Sequence, residues 1–469
     1  MISPPEVPDA IHAQEHPGVE SEKKSILPRL GIIALAAVLA WLMYTFLPYE
    51  LEPRKGLALL TFIAILWLTE ALNITITALL VPFLAVIMGF KDLNTTKALA
   101  SFADPVIFLF FGGFALATAL HSQKLDRKIA LGLIAAAGGR MGLAIMYLFL
   151  ATAGLSMWIS NTATAAMMLP LALGLISQMT TDNRGTKVYI LLGIAYSSSI
   201  GGLGTLVGSP PNIIAAKALE MTFAEWMKIG LPMMLILLPV IYAVLYFMFR
   251  PDFGERVSTI SVSIPWTPPR IMAIILFACT ALAWIFSGQI AAATKISSMD
   301  TIVALAAAIL VVSLGLASWK EVAANTDWGV LYLFGAGLAL SAIMRSSGAS
   351  AVLGSAVANV MGGLSPFFVC LIVATFIVFL TEFTSNTASA ALLVPVFAAI
   401  AEQMNIPKEL LVLIIGIGAS LAFMMPVATP PNALVYGTGH VRQRDMIKAG
   451  FVLNIICALI LATYASIFF

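Results

Sequence analysis

Two stretches of this sequence carry the same polar triplet in apolar surroundings. Residues 155–170 read LSMWISNTATAAMMLP and residues 380–395 read LTEFTSNTASAALLVP, with eight of 16 aligned positions identical. The shared core is Ser160, Asn161, Thr162 in the first copy and Ser385, Asn386, Thr387 in the second. A hydroxyl–amide–hydroxyl run in hydrocarbon is costly unless it binds something. Hydroxyl and amide oxygens suit a hard cation. N–H and O–H groups suit an anion, and an asparagine amide can serve both at once. Each triplet is followed by a Pro-Pro-Asn break, within GTLVGSPPN at 204–212 and MMPVATPPN at 424–432. An interrupted helix offers free backbone carbonyls to a cation, and its second half offers N–H donors and a positive dipole end to an anion.

Neither motif contains Lys or Arg. A dianion held there lacks a formal counter-charge, which bound Na+ would supply. One opposite charge at about 4 Å is worth roughly 4 kcal/mol at an effective dielectric near 20, before desolvation. Each net positive charge carried inward gains roughly 2.3 kcal/mol per 100 mV. Coupling to Na+ thus follows from a site that takes anions without basic side chains. Helix packing by small polar residues explains one such triplet. It does not explain two symmetric copies, each followed by the same break. Trp158 and Phe383, at matching positions, read as packing residues. Glu382 has Met157 as its counterpart and reads as an interior structural carboxylate or as a residue that tunes ion binding.

The elements that must position these groups are apolar. The chain has 469 residues, of which 60% are hydrophobic and 10% charged, and its mean hydropathy is +0.99. Soluble domains carry about 25% charged residues. The runs near 20 residues indicate an all-α polytopic membrane protein rather than a barrel. A net charge of +2 gives no sign of nucleic-acid binding. Cys279, Cys370 and Cys457 are dispersed in apolar segments, and His12, His16, His121 and His440 form no ligand spacing, which excludes a disulfide framework and metal chemistry on His or Cys.

Residues 1–27 contain four prolines and read as a flexible tail, and 28–55 as a first transmembrane helix. Residues 56–249 form a first repeat, with spans near 56–73, 75–90, after Asp104, 188–203 and 230–249. Glu70 and Asn73 mark a tight turn, and a segment to about residue 139 reads as an interfacial helix. Residues 141–181 run for 41 positions without a charge, with Asn161 in the middle. A polar triplet at that centre indicates a re-entrant hairpin with its tip near the bilayer midplane. A broken helix over 188–219 follows. Residues 250–268 form a polar loop. The second repeat, 269–469, has spans near 269–287, 301–316 and 450–468, a hairpin over 365–402 and a broken helix over 408–436. FGAGLALSAI at 334–343 echoes FGGFALATAL at 111–120, and Asp327 echoes Asp104. Five crossings per repeat invert the second repeat relative to the first. A cytoplasmic N-terminus places 16 of the 25 Lys and Arg inside and leaves the C-terminus outside.

The paired triplets and the run ASLAFMMPVATPPNALV (419–435) resemble the divalent anion/sodium symporter family, also called the sodium:sulfate or sodium:dicarboxylate symporters. The resemblance covers nearly all the chain after about residue 28. It implies 11 transmembrane helices with two re-entrant hairpins in two inverted repeats, a homodimer in the inner membrane, and a transport domain of hairpins and broken helices sliding as an elevator against a scaffold domain. It implies one Na+ site at Ser156, Ser160, Asn161 and the Gly208 backbone. A second is implied at Thr381, Thr384, Asn386 and the Ala428 backbone. Substrate carboxylates would meet Asn161, Thr162, Asn386 and Thr387, with Ser209, Pro210, Thr429 and Pro430 nearby. Position 384 varies in the family, and a threonine hydroxyl there matters only if the ligand is not the backbone carbonyl. C4-dicarboxylates such as succinate, malate or fumarate suit the hydroxyl-rich tips, with citrate and sulfate as alternatives.

Other readings are an exchanger on the same fold, a channel, a cation/proton antiporter that uses Glu382, and an intramembrane hydrolase at Gly154-Leu155-Ser156. The last lacks a histidine at matching depth, because His121 and His440 fall near span ends. Two closed tips argue for alternating access over a channel.

Overall fold

The computed structural model describes residues 26–180, 183–256, 264–361 and 363–468. Most of the tail expected over 1–27, and part of the loop expected over 250–268, lie outside them. The named elements are helical throughout.

After a leading helix, Ile26–Phe46, the order of elements occurs twice. The first half runs through Leu51–Thr69, Ile74–Ile87, the short Thr95–Ala100, Pro105–Ser122 and Leu125–Ala136. It then forms a helix pair, Met141–Ser156 and Asn161–Ile176, and an interrupted helix, Arg184–Gly201 and Pro210–Ala218. It closes with Phe223–Phe249. The second half runs through Pro268–Ile285, Met299–Ser313, the short Trp319–Asn325, Trp328–Ser346 and Ala349–Met361. Its helix pair is Pro366–Leu380 and Asn386–Gln403, its interrupted helix is Lys408–Gly418 and Pro430–Gly437, and it closes with Gln443–Phe468. One extra helix, Ser287–Thr294, meets Met299–Ser313 at 102°.

Six helices among the described residues are long and apolar enough to cross a membrane by themselves, and two bent pairs raise that number to 8. Shorter apolar helices and the interrupted ones complete the set. With each interrupted helix taken as one segment, the two halves repeat one series of helices beside the leading helix.

Local sequence explains the boundaries. Asp104 and Asp327 cap the matching helices Pro105–Ser122 and Trp328–Ser346, accepting from Val106 N and Val330 N. Several helices begin earlier than their apolar windows suggest, at Leu51, Phe223 and Gln443. Thr222 and Glu225 form a capping box at the second of these, so polar first turns extend helices beyond the greasy stretch. The prolines of each Pro-Pro-Asn do not interrupt a helix but start one. Pro210–Pro211 and Pro430–Pro431 occupy the first two positions, where a missing N–H costs nothing. The interruption lies upstream, at 202–209 and 419–429.

The halves interlock. The first helix pair packs on Arg184–Gly201, and both arms of the second pair pack on Lys408–Gly418. The second pieces are exchanged: Pro210–Ala218 packs on Asn386–Gln403 and Lys408–Gly418, and Pro430–Gly437 packs on Asn161–Ile176 and Arg184–Gly201. Tyr196 binds this crossing by donating to Phe423 O at 2.7 Å. The exchange brings the two polar triplets to one place.

Candidate functional site

Each helix pair turns at its triplet because the triplet starts the second arm. Ser160 and Ser385 are the capping residues, with Oγ accepting from Ala163 N and Ala388 N. Asn161 and Asn386 are the first helical residues. Pro210 and Pro430 begin the exchanged pieces, with Ser209 and Thr429 as their caps. Four helix N-termini therefore present their opening residues to one cavity of about 840 Å³. It is lined by both triplets and by Gly208, Ser209, Pro210, Ala428, Thr429 and Pro430. N-termini carry unpaired N–H groups and positive dipole ends, so their convergence favours an anion. The lining includes no Lys or Arg among the described residues, and its charged members are Glu70 and Asp327.

Ser156 and Thr381 lie behind the tips, fully buried. Ser156 Oγ donates to Ser198 O at 2.6 Å, and Thr381 Oγ1 donates to Ala419 O at 2.8 Å. Each also reaches its triplet amide, at 2.7 Å for Asn161 and 2.6 Å for Asn386. One terminal atom of the Asn161 amide stands 2.7 Å from Ser156 Oγ, 3.0 Å from Ser198 O and 3.3 Å from Gly208 O. With nitrogen in that place the amide's two hydrogens are shared among these oxygens. With oxygen there, Ser156 Oγ donates to it, and the carbonyl oxygens beside it would suit a cation. The same crowding fixes Gly202 and Gly208. A Cβ on Gly202 would stand 2.6 Å from Asn161 Oδ1, and one on Gly208 would stand 2.5 Å from Gly202 O.

The asparagines of the two Pro-Pro-Asn motifs hold the interruptions open. Asn212 Nδ2 donates to Gly202 O and Thr205 O, and Asn432 Nδ2 donates to Ala422 O and Met425 O. Both amide oxygens are buried without a hydrogen-bond partner, at a cost of about 1–3 kcal/mol each. Thr384 spends its hydroxyl within its own helix pair, on Leu380 O at 2.9 Å and Ser389 Oγ at 2.8 Å. That hydroxyl is thus already engaged inside the helix pair.

Every residue singled out at the tips and breaks is thus in or directly behind one cavity. Sequence reasoning gave no role to the Ser198 and Ala419 carbonyls, which carry no mark because every residue has one. It also missed Asn454, which stands beside Glu382. A second cavity of about 510 Å³ contains no tip residue and is lined by Lys217, Arg345 and Lys408 among others.

A multi-pass helical membrane protein whose like halves bring paired polar tips to one cavity has the architecture of a secondary transporter. Residues 26–469 match the sodium:sulfate symporter transmembrane region, and the chain belongs to that family. It is 54% identical over 446 residues to an uncharacterised transporter of Haemophilus influenzae, covering 93% of this chain and 96% of the relative. It is 32% identical over 486 residues to the sodium-dependent dicarboxylate transporter SdcS of Staphylococcus saprophyticus, covering 94% and 91%. The crystal structure of the Alcanivorax borkumensis YdaH transporter shares the fold with a TM-score of 0.56 at 15% identity, covering 95% of this chain and 98% of that one.

Proposed function

We propose that this protein couples inward Na+ movement to uptake of C4-dicarboxylates across the cytoplasmic membrane. One observation carries the reading: four helix N-termini and two clusters of oxygens share a cavity whose lining offers no basic side chain. The N-termini can hold the two carboxylates of a dianion. The oxygens behind them can hold two Na+ ions, one at Ser156, Ser160, Asn161 and Gly208, the other at Thr381, Thr384, Asn386 and Ala428. Asn161 and Asn386 stand between and serve both ligands, with Thr162, Thr387, Ser209, Pro210, Thr429 and Pro430 closing around the anion. SdcS, by its name a sodium-dependent dicarboxylate carrier, supports this choice of substrate.

In this reading the N-terminus is cytoplasmic and the cavity, rimmed by Glu70 and Asp327, opens inward. The helix pairs and interrupted helices travel together as an elevator against the remaining helices, in a homodimer, and no enzyme chemistry is involved. Purified protein in proteoliposomes should accumulate labelled succinate only under an inward Na+ gradient. Uptake undiminished with choline in place of Na+ overturns coupling and favours an exchanger. Na+-driven uptake of sulfate or citrate with succinate excluded overturns the substrate class.

A further inference from the structure

The two halves support their tips differently. In the second half Glu382, fully buried, lies one residue after Thr381 and clamps the interrupted helix. Its Oε1 accepts from Phe423 N at 2.7 Å, Met424 N at 2.9 Å and Asn454 Nδ2 at 2.8 Å. Its Oε2 accepts from Met424 N and Met425 N, both at 3.0 Å. Every one of these contacts comes from a donor, so the carboxylate is the form that fits, and no lysine or arginine is among these partners. Met425, held by Glu382, in turn supplies carbonyl contacts to Asn432 and Ala428 N. The clamp therefore shapes the same turn that carries Ala428.

In the first half the equivalent place is apolar. A shift of 220 relates Leu203 to Phe423, Gly204 to Met424, Gly230 to Gly450 and Met234 to Asn454. The two glycines confirm the register. A Cβ on Gly230 would stand 2.2 Å from Leu203 O, and one on Gly450 would stand 2.4 Å from Met424 N. A Cβ on Gly204 would meet Met157 Cε at 3.0 Å and Met234 Sδ at 3.1 Å. Two thioethers thus fill the place that a carboxylate and an amide fill in the second half. The first turn winds as the short helix Gly202–Gly204.

We infer that Glu382 sets the order in which the two cation sites fill. Its uncompensated charge makes the site at Thr381, Thr384, Asn386 and Ala428 bind Na+ more tightly than the site at Ser156, Ser160, Asn161 and Gly208. A buried anion without a basic partner attracts a cation in proportion to the low local dielectric, and in the first half the equivalent position holds Met157. Glu382 is a positioning and charge-setting residue, not a ligand. The second site therefore fills at a lower Na+ concentration than the first.

This inference rests on the proposed Na+ coupling, and the test separates the two. Thermal unfolding of the purified full chain is followed while NaCl replaces choline chloride at constant ionic strength, with KCl as a control. No Na+-specific stabilisation of the unaltered protein overturns the coupling itself. With stabilisation present, Glu382→Gln, which removes the charge and keeps one acceptor, should raise the Na+ concentration at half-effect about tenfold. An unchanged Na+ midpoint, even with a lower melting temperature in both salts, makes Glu382 a structural clamp alone and overturns the inference. Should that variant not yield folded protein, Met157→Glu with Met234→Asn decides. Grafting the pair into the first half should lower the Na+ midpoint severalfold, and an unchanged midpoint overturns the inference.

Discussion

The ring beside the first triplet is docked and the ring beside the second is free, although the triplets are the same and the first triplet is itself the more exposed. Trp158 stacks on Phe223 at 6.0 Å and on Trp284 at 6.4 Å, and meets Phe277 edge-on at 5.0 Å. Its counterpart Phe383 is 67% exposed. The same holds one turn further along each break: Val207 is 7% exposed and packs against Gly113, whereas Val427 is 80% exposed. Behind the tips the contrast is chemical, with Met157 and Met234 against Glu382 and Asn454. Identical residues mark what both halves must do, which is to present amide and hydroxyl groups. Residues that differ mark what the halves do separately, which is to stabilise a turn and to rest against the surrounding helices.

The largest effect expected from breaking this contrast is on the clamp. Glu382→Ala strands three backbone N–H groups and the Asn454 amide in the interior. Each abandoned donor costs about 1–3 kcal/mol, so the loss should exceed about 4 kcal/mol and lower the melting temperature steeply. Met157→Ala in the other half removes packing alone and, for a half-buried methionine, should cost about 2 kcal/mol. Equal losses in a thermal melt would mean that the two supports are equivalent after all.

Next come the residues on which the halves agree. Asn161→Ala and Asn386→Ala should each weaken both Na+ and dicarboxylate binding by about 2–3 kcal/mol, roughly 30- to 150-fold. Calorimetric titration of each ligand would read both losses. A variant that loses one ligand and retains the other contradicts the sharing of one amide between them.

Repetition made the triplets legible, because a polar group that recurs at one place in both halves stands out against 60% hydrophobic sequence. The element order was legible for the same reason. The position of each interruption was less so: prolines signal that a helix cannot continue, yet Pro210 and Pro430 begin helices, and the chain unwinds several residues earlier. Backbone ligands leave no mark. Asn454 sits in an ordinary apolar span and acquires meaning only through Glu382, 72 residues away in sequence.

A smaller effect should distinguish the docked tip from the free one. Trp158→Ala opens a stack of three rings and should cost about 2 kcal/mol of stability. Phe383→Ala removes an exposed ring and should change the melting temperature by little, about 0.5 kcal/mol or less. If Phe383→Ala proves the more damaging, the free tip is docked in solution and the two halves rest in the opposite sense.

The smallest expected effect concerns what holds the docked half in place. Lys217, on the exchanged piece Pro210–Ala218, pairs with Asp104 at 3.0 Å. Asp104 caps the helix Pro105–Ser122, which lies outside the interlocked set. The equivalent acid of the second half, Asp327, faces the open cavity, and the position equivalent to Lys217 is Gly437. Among the described residues the ion pair therefore has no counterpart in the second half. Partly exposed pairs contribute about 0–1 kcal/mol, so under the proposed elevator movement Lys217→Met should shift the balance between its two end positions by no more than about fivefold. Cysteines placed at Val207 and Val427 would report that balance through their relative rates of labelling. Loss of the pair should speed labelling at 207 and slow it at 427, and high salt should imitate the substitution in the unaltered chain. Rates that both rise would instead indicate loosening of the fold, and rates that do not move would assign the docked position to the Trp158 stack and the Val207 contact alone.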